Sequence, residues 1–531
     1  MITVNQIGYA PGSRKHATAI ETGSYRLCDE GGRVVREGTL TPVPDEGSGS
    51  ACACIDFSDI TTPGNYYFTD ERGERSCTFP ITDAPYASAL RDAVRMFYHQ
   101  RCGMELAEEY AGVYRHRACH CKEAVLLKNR SEKRELSGGW HDAGDYGRYV
   151  TAGAVALAHL LYSWKLDPKV HAQDLHIPES GNGTPDLLNE CRYELEWMLK
   201  MQDEDGGVHH KATSLSFVDF IMPEEDEEQV YITPVSSLAT ADFAAITAMA
   251  AGIYAPYDSD FSECLSRAAQ SAAAWLKAHP EFLFRNPEEV KTGTYEDLCD
   301  ADERLWAAAE LYLLTGSNDQ IGIMRQIMEI RVDTTALGWA DVGGLAAFAV
   351  LFAEEGVFPE DLTARFRGRL LDEADRLVGV ASGNPFELTL RPYEYKWGSN
   401  MVVLMNAMIL LAAHRLTGAE RYADTARAQV DYIFGRNAMN LSYVTGYGER
   451  AFHDPHNRPT VADGIDAPIP GYVSGGPNTR ACDLAANPEI LDGAPPMKCY
   501  ADDWRSYSTN EIAIYWNSPL VFVLAFLTDL G

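Results

Sequence analysis

The period of the hydrophobic residues changes once, near Thr82-Asp-Ala-Pro85, and that change limits what this chain can fold into. Before it, short β-type runs at 16–21, 25–28, 33–40, 51–57, 66–69 and 77–81 are punctuated by Gly31-Gly32 and Pro63-Gly64. Strands at that spacing predict a small β-sandwich of immunoglobulin type over residues 1–83. After it, apolar residues recur at helical spacing in 86–101, 149–164, 185–202, 237–254, 260–278, 303–315, 345–355, 361–378, 400–417, 420–434 and 510–528. Residues 84–531 therefore predict an all-α second domain. Gly/Pro/Asn/Asp-rich loops at 103–147, 203–236 and 436–506 interrupt it, and loops that long in a compact domain usually carry function. Paired helices with such loops on one side predict an (α/α) barrel.

Charge narrows the partners. With 77 acidic against 45 basic residues, the formal charge is −32. Phosphate binding needs a basic surface, so nucleic acid is excluded, and anionic membranes and polyanionic substrates are disfavoured. A neutral or cationic ligand fits better. The apolar run 520–527 is too short to span a bilayer. No basic region followed by an apolar run marks residues 1–9 as an export signal, so a cytoplasmic location is expected. Twelve cysteines without a regular framework fit reduced thiols and a metal site better than a disulfide scaffold. No organic cofactor and no protein partner is expected.

The densest chemistry lies in Ser137-Gly-Gly-Trp-His-Asp-Ala-Gly-Asp-Tyr146. Asp142 and Asp145 stand three residues apart beside a Gly-Gly turn, an aromatic ring and a histidine. Two acids so close raise one another's pKa, an arrangement suited to holding a water or a charge. In isolation such a pair is more simply a helix cap plus a solvated turn acid. Glu511, near the start of the last helical segment, supplies a distant partner. An opposed pair of acids among aromatics is what acid/base cleavage of a glycosidic bond requires.

Two thiolates and two imidazoles at Cys102, Cys119, His120 and His141 suit tetrahedral Zn²⁺, although such cysteines are as often buried apolar fillers. Asp297, Asp300, Asp302 and Glu303, with Asp341 further on, offer hard oxygen ligands suited to Ca²⁺; a solvated acidic helix N-terminus is the simpler alternative. The run 224–228, Glu-Glu-Asp-Glu-Glu, reads as a solvated loop.

These motifs, taken in order, resemble glycoside hydrolase family 9, the cellulases formerly called family E. Gly138-Gly-Trp-His-Asp-Ala-Gly-Asp145 looks like the family's nucleophilic-water motif. Ser442-Tyr-Val-Thr-Gly-Tyr-Gly-Glu-Arg450 with Pro455-His456-Asn-Arg458 resembles one signature, and Tyr500-Ala-Asp502, Tyr507, Glu511-Ile-Ala513 and Asn517-Ser518 another. Tyr395-Lys-Trp-Gly-Ser-Asn400 and Gly475-Gly-Pro-Asn478 add to them. The resemblance implies an (α/α)6 barrel after an immunoglobulin-like module, and an inverting β-1,4-glucanase acting on cellulose-type chains or cello-oligosaccharides. An exo-β-glucosaminidase on chitosan oligosaccharides is the alternative.

On matching positions the resemblance makes Asp145 the general base, Asp142 its partner in holding water, and Glu511 the general acid. An inverting pair needs a gap of roughly 6.5–9.5 Å for that water. His456 and Arg458 would bind sugar hydroxyls, with Asn457 where many members carry a second histidine. Trp397 and Tyr507 are candidate stacking platforms, and Asp502 would sit with them and help Glu511 keep its proton. The resemblance also implies structural zinc at the Cys/His set and a second calcium position at Thr460 and Asp463.

Overall fold

The computed structural model describes residues 1–483 and 493–530. The chain forms two compact units, one of Met1–Met96 with Ala374–Gly531, the other of Phe97–Glu373.

In the first unit the N-terminal strands are β1 (Ile2–Thr3), β2 (His16–Ile20), β3 (Ser24–Asp29), β4 (Val34–Thr39), β5 (Val43–Asp45), β6 (Ser50–Asp56), β7 (Gly64–Asp70) and β8 (Phe79–Ile81). They pair antiparallel in two sheets, ordered β1-β2-β6-β5 and β4-β3-β7-β8. Alternation puts Ala17, Ile55, Leu27 and Phe68 inside, all at 0–1% exposure. Edge-on ring contacts, Tyr9 to Phe57 at 5.2 Å and Phe57 to Phe68 at 5.3 Å, fill the core. The sandwich is tied to the helix Glu420–Ile433 of the same unit, where Asn5 Nδ2 donates to Asp431 Oδ1 at 2.9 Å.

Twelve helices of nine residues or more are described. Along the chain they alternate between one-faced and all-round burial. Asp186–Lys200, Ser259–Ala278 and Glu420–Ile433 bury one stripe, whereas Val150–Leu166, Ser237–Tyr254, Ser399–Thr417 and Ile514–Leu530 are buried nearly all round. Within the second unit Ser237–Tyr254 packs on Val150–Leu166, Ser259–Ala278 and Ala301–Thr315. Within the first, Ser399–Thr417 packs on Glu420–Ile433 and Ile514–Leu530. Two of these helices, Ser237–Tyr254 and Ser399–Thr417, are long and apolar enough to cross a membrane by length and composition, and 89% of the first lies inside the protein. Its apolarity serves the core.

The structure departs from the sequence expectation at several places, strand Val43–Asp45 among them. Helix Asn318–Met328 was not predicted. The last helix begins at Ile514 rather than residue 510, leaving Glu511 in extended backbone. The expected loops 103–147 and 203–236 contribute four strands of a five-stranded sheet, ordered Lys133–Arg134, Ala124–Leu126, Tyr231–Ile232, Lys211–Thr213 and, just beyond the first loop, Arg148–Tyr149. Strands of two or three residues are too short for alternation to show in sequence.

Candidate active site

The loop carrying Asp142 and Asp145 is clamped from beneath. Gly139 adopts φ +76°, and a Cβ there would lie 2.7 Å from Trp197. That close approach explains the Gly-Gly turn. Cys102 N donates to Gly139 O at 2.8 Å, His141 N to Gln100 O at 2.7 Å, and Gln100 Nε2 to the carbonyls of His141 and Ala143, each at 3.0 Å. The fully buried Trp140 donates through Nε1 to Glu190 Oε1 (2.8 Å) and through its backbone N–H to Glu194 Oε2 (2.6 Å). Arg101, 0% exposed, grips Glu190 with Nε and Nη2 and Glu179 with Nη1 and Nη2, at 2.8–3.1 Å. Sequence reading missed this layer, because its bonds join residues 50 to 89 apart in the chain.

Both acids are buried. Asp145 Oδ2 accepts from Gly147 N at 2.9 Å, and Asp142 Oδ2 accepts from the Tyr295 hydroxyl while its Oδ1 has no hydrogen-bond partner. Burial first, then the charge of Asp145, pushes the Asp142 carboxyl well above the usual carboxylate range, against the Tyr295 hydrogen bond. Tyr295 was also missed; it lies 153 residues from Asp142.

Lys211 is fully buried close by, its ammonium donating to Gly293 O and lying 5.5 Å from the Tyr149 ring centroid. Burial lowers its pKa to about 7, against the attraction of Asp145 and Glu296. From there up to the ordinary lysine value of 10.5 the folded chain holds one proton fewer than the unfolded chain. This group therefore makes stability rise with pH across that window, and its penalty is complete below pH about 7. Lys211→Met is expected to flatten that rise, which denaturant midpoints at about pH 6, 7.5 and 9 would measure.

Glu511 sits on a different frame, in the first unit. Its backbone forms a parallel bridge with His456, and His456 N donates to Asn510 O at 3.0 Å. Gly475 N donates to Glu511 O and Gly476 N to Thr509 O, both at 2.8 Å. Gly476 has φ +89°, and a Cβ there would lie 2.4 Å from the Asn400 side chain. Asn400 and the Gly-Gly-Pro-Asn motif thus hold the acid's main chain.

His456 Nδ1 meets Trp504 O at 2.7 Å, and burial lowers its pKa to about 4, so the ring is a neutral Nδ1–H donor to that carbonyl. Arg458 opens the short helix Arg458–Ala462, and Asn457 is its N-cap, accepting from Thr460 N (3.2 Å) and Oγ1 (2.8 Å). The asparagine in place of a second histidine is thus explained by capping. Trp397 is 44% exposed and its ring centroid lies 5.4 Å from that of Tyr507, which in turn lies 5.9 Å from His456. Asp502 accepts from His453 N (2.8 Å), Asp454 N (2.9 Å) and Asn510 Nδ2 (3.2 Å). Its carboxylate ties the turn before His456 to the residue before Glu511.

The predicted zinc ligands Cys102, Cys119, His120 and His141 converge, with one ligand atom from each within 4.8 Å of the others. The chemistry of the donors fits a metal. Burial alone would raise the Cys102 thiol, yet the Cys119 hydrogen bond, Arg148 and the two imidazoles bring it well below its ordinary value. His141 Nε2 is buried without a hydrogen-bond partner, an orphaned ring nitrogen that suits a metal ligand. Among the described residues one other group converges, His16, Cys54 and Glu387. There Arg14 and Arg436 hold Glu387 at 2.7 and 3.1 Å, so its charge is already neutralised.

The calcium candidates differ in burial and in their partners. Asp302 and Glu303 are buried, whereas Asp341 is exposed, Asp300 pairs with Arg304 at 3.0 Å, and Asp297 accepts from the N–H groups of Leu298 and Cys299. The structure adds Asp242, fully buried with neither oxygen hydrogen-bonded, its carboxyl pushed up by burial and by Asp302. Partnerless buried oxygens fit a hard cation. Thr460 lies in the middle of the short helix and Asp463 caps its C-terminal end, Asp463 Oδ1 accepting from Ile465 N at 2.8 Å.

Comparison with known proteins places these motifs. The pattern of Glycosyl hydrolase family 9 matches residues 86–524, and that of the Cellulase N-terminal ig-like domain matches residues 1–74. The chain belongs to glycosyl hydrolase family 9. This family 9 glycosidase is accordingly an immunoglobulin-like β-sandwich followed by an (α/α)6 barrel. It is 39% identical to a cellodextrinase from Butyrivibrio fibrisolvens, over 99% of each chain. It is 35% identical to Endoglucanase D from Acetivibrio thermocellus, over 99% of this chain and 83% of that protein. Among solved structures, AaCel9A in complex with cellobiose-like isofagomine is similar with a TM-score of 0.93 and 37% identity, over 99% of each chain.

Proposed function

We propose that this family 9 glycosidase cleaves β-1,4-glucosidic bonds in cello-oligosaccharides and cellulose-type chains, with inversion at the anomeric carbon. The observation that carries the reading is that each unit braces its own acid frame. One holds Asp142 and Asp145 on a buried loop, and the other holds Glu511 beside His456, with the exposed Trp397 ring against the half-buried Tyr507. Relatives named cellodextrinase and endoglucanase support a glucan over a glucosaminide.

In this reading Asp145 takes a proton from the attacking water as its oxygen bonds to the anomeric carbon. Asp142, held by Tyr295, positions that water. Glu511 gives its proton to the departing glycosidic oxygen, so the C–O bond breaks to a free hydroxyl. His456 and Arg458 bind sugar hydroxyls, and Trp397 with Tyr507 offers ring faces to glucosyl units. Zinc held by Cys102, Cys119, His120 and His141 would be structural, because four protein ligands leave no open position. Asp242, Asp302 and Glu303 would hold one calcium, and Thr460 with Asp463 a second.

Proton NMR of cellopentaose hydrolysis tests the mechanism. The newly formed reducing end should appear first as the α-anomer. Initial β-anomer would sink the inverting assignment, and absence of cleavage would sink the glucan assignment.

A further inference from the structure

The acidic run 224–228 is only in part the solvated loop its composition predicts. Glu225, Glu227 and Glu228 are exposed, but the Asp226 side chain is 4% exposed. Its Oδ2 lies 3.2 Å from His120 Nε2, and its Oδ1 accepts from Glu228 N at 2.9 Å. The opposite ring nitrogen, His120 Nδ1, lies 3.7 Å from Cys102 Sγ. A tetrahedral ion with ordinary Zn–S and Zn–N bonds separates such a pair by about 3.5 Å. The imidazole therefore stands between a carboxylate on one edge and the thiol cluster on the other.

The backbone and the neighbouring rings enforce that placement. His120 adopts φ +48°, a left-handed conformation that a histidine rarely takes without cause. Tyr146 packs against both histidine rings, at 5.4 Å from His120 and 4.9 Å from His141, and its hydroxyl donates to Ile221 O. The segment bearing Asp226 is thus fastened to the catalytic loop at a second point.

We infer that Asp226 is the outer carboxylate of the metal centre: it accepts the Nε2–H of His120, fixes the tautomer, and leaves the Nδ1 lone pair directed at the ion. The inference rests on the zinc reading of the Cys/His set. Outer-shell carboxylates of this kind orient a ligating histidine, and their loss typically lowers metal affinity 10–100-fold. Asp226 is a positioning residue. Through it, ion binding orders not only the three ligand-bearing segments but also the stretch between Ile221 and Asp226.

Zinc content and affinity of the full chain test this, using metal analysis, competition with a chromophoric chelator, and the visible spectrum of the Co²⁺-substituted protein. Wild type should hold one zinc at this set. Asp226→Ala should bind zinc about 10–100-fold more weakly and alter the Co²⁺ bands. Asp226→Asn, which keeps an acceptor oxygen and the side-chain volume, should fall between, and Glu227→Ala should match wild type. Should the alanine variant fail to fold, the asparagine variant decides alone. Unchanged affinity and spectrum in Asp226→Asn and in any folded Asp226→Ala, with zinc bound in wild type, would overturn the role of Asp226. Absence of zinc from wild type would overturn the metal reading beneath it.

Discussion

Glu511→Gln should lower kcat on cello-oligosaccharides by about 10²–10⁴-fold, the usual contribution of a general acid, with thermal unfolding unchanged. The glutamine keeps the shape of the side chain and removes only the transferable proton. Its main chain remains held, since the bonds to His456, Gly475 and Gly476 are made by backbone atoms. KM should change little. The diagnostic arm is a substrate with a good leaving group, such as an aryl cellobioside. Departure of its phenolate needs little protonation, so the variant should recover much of its rate there. A variant equally slow on both substrates would point to a binding role for Glu511. Asp145→Asn should lose a comparable factor on both substrates, because activation of water does not depend on the leaving group. Together the variants assign the two proton transfers independently.

Arg101→Met should destabilise the protein by about 3–5 kcal/mol, the usual effect of removing one partner from a buried ion pair. The arginine is 0% exposed and Glu190 is 1% exposed, so its loss strands a carboxylate where water cannot reach. That same carboxylate accepts from Trp140 Nε1, two residues before Asp142. Stability and catalysis should therefore fall together, with kcat reduced even at temperatures where the variant is folded. Arg101→Lys should fail in part, because an ammonium cannot reproduce the paired bonds to Glu190 and Glu179. Glu190→Gln should be milder than Arg101→Met, since an amide oxygen can still accept from both Trp140 and Arg101. Thermal scans with initial-rate assays below each transition would check the order. A fully active, thermally unaltered Arg101→Met would show that the loop keeps its shape without the brace.

The helices were legible in sequence because their apolar residues recur over three turns or more, as in Ser237–Tyr254, where pattern and structure share both ends. The Cys/His cluster and the glycine turn were legible because the residue types are rare and clustered. Long-range pairing was not. Arg101 with Glu190, Tyr295 with Asp142, and Asp226 with His120 are pairings invisible until the fold closes, for nothing local distinguishes Arg101, Glu190, Tyr295 or Asp226 from ordinary surface charges and rings. Glu511 shows a subtler limit. Helical spacing predicts a helix from residue 510, but the main chain of 509–511 is already engaged by His456, Gly475 and Gly476, and that pairing overrides local propensity. The acidic run 224–228 misled for the opposite reason, since composition describes its neighbours well and Asp226 badly.

The bridge between His456 and Glu511 has a bearing on how specificity can be altered. The residue proposed to grip the sugar and the residue proposed to protonate its linkage share one stretch of paired main chain, so they form a single inherited cassette. Segments that lengthen or shorten the binding track can be exchanged around that cassette without re-aligning grip and proton donor. Grafts aimed at longer or shorter oligosaccharides should leave residues 453–458, 474–478 and 507–513 intact, and alter instead the residues that present ring faces beyond them.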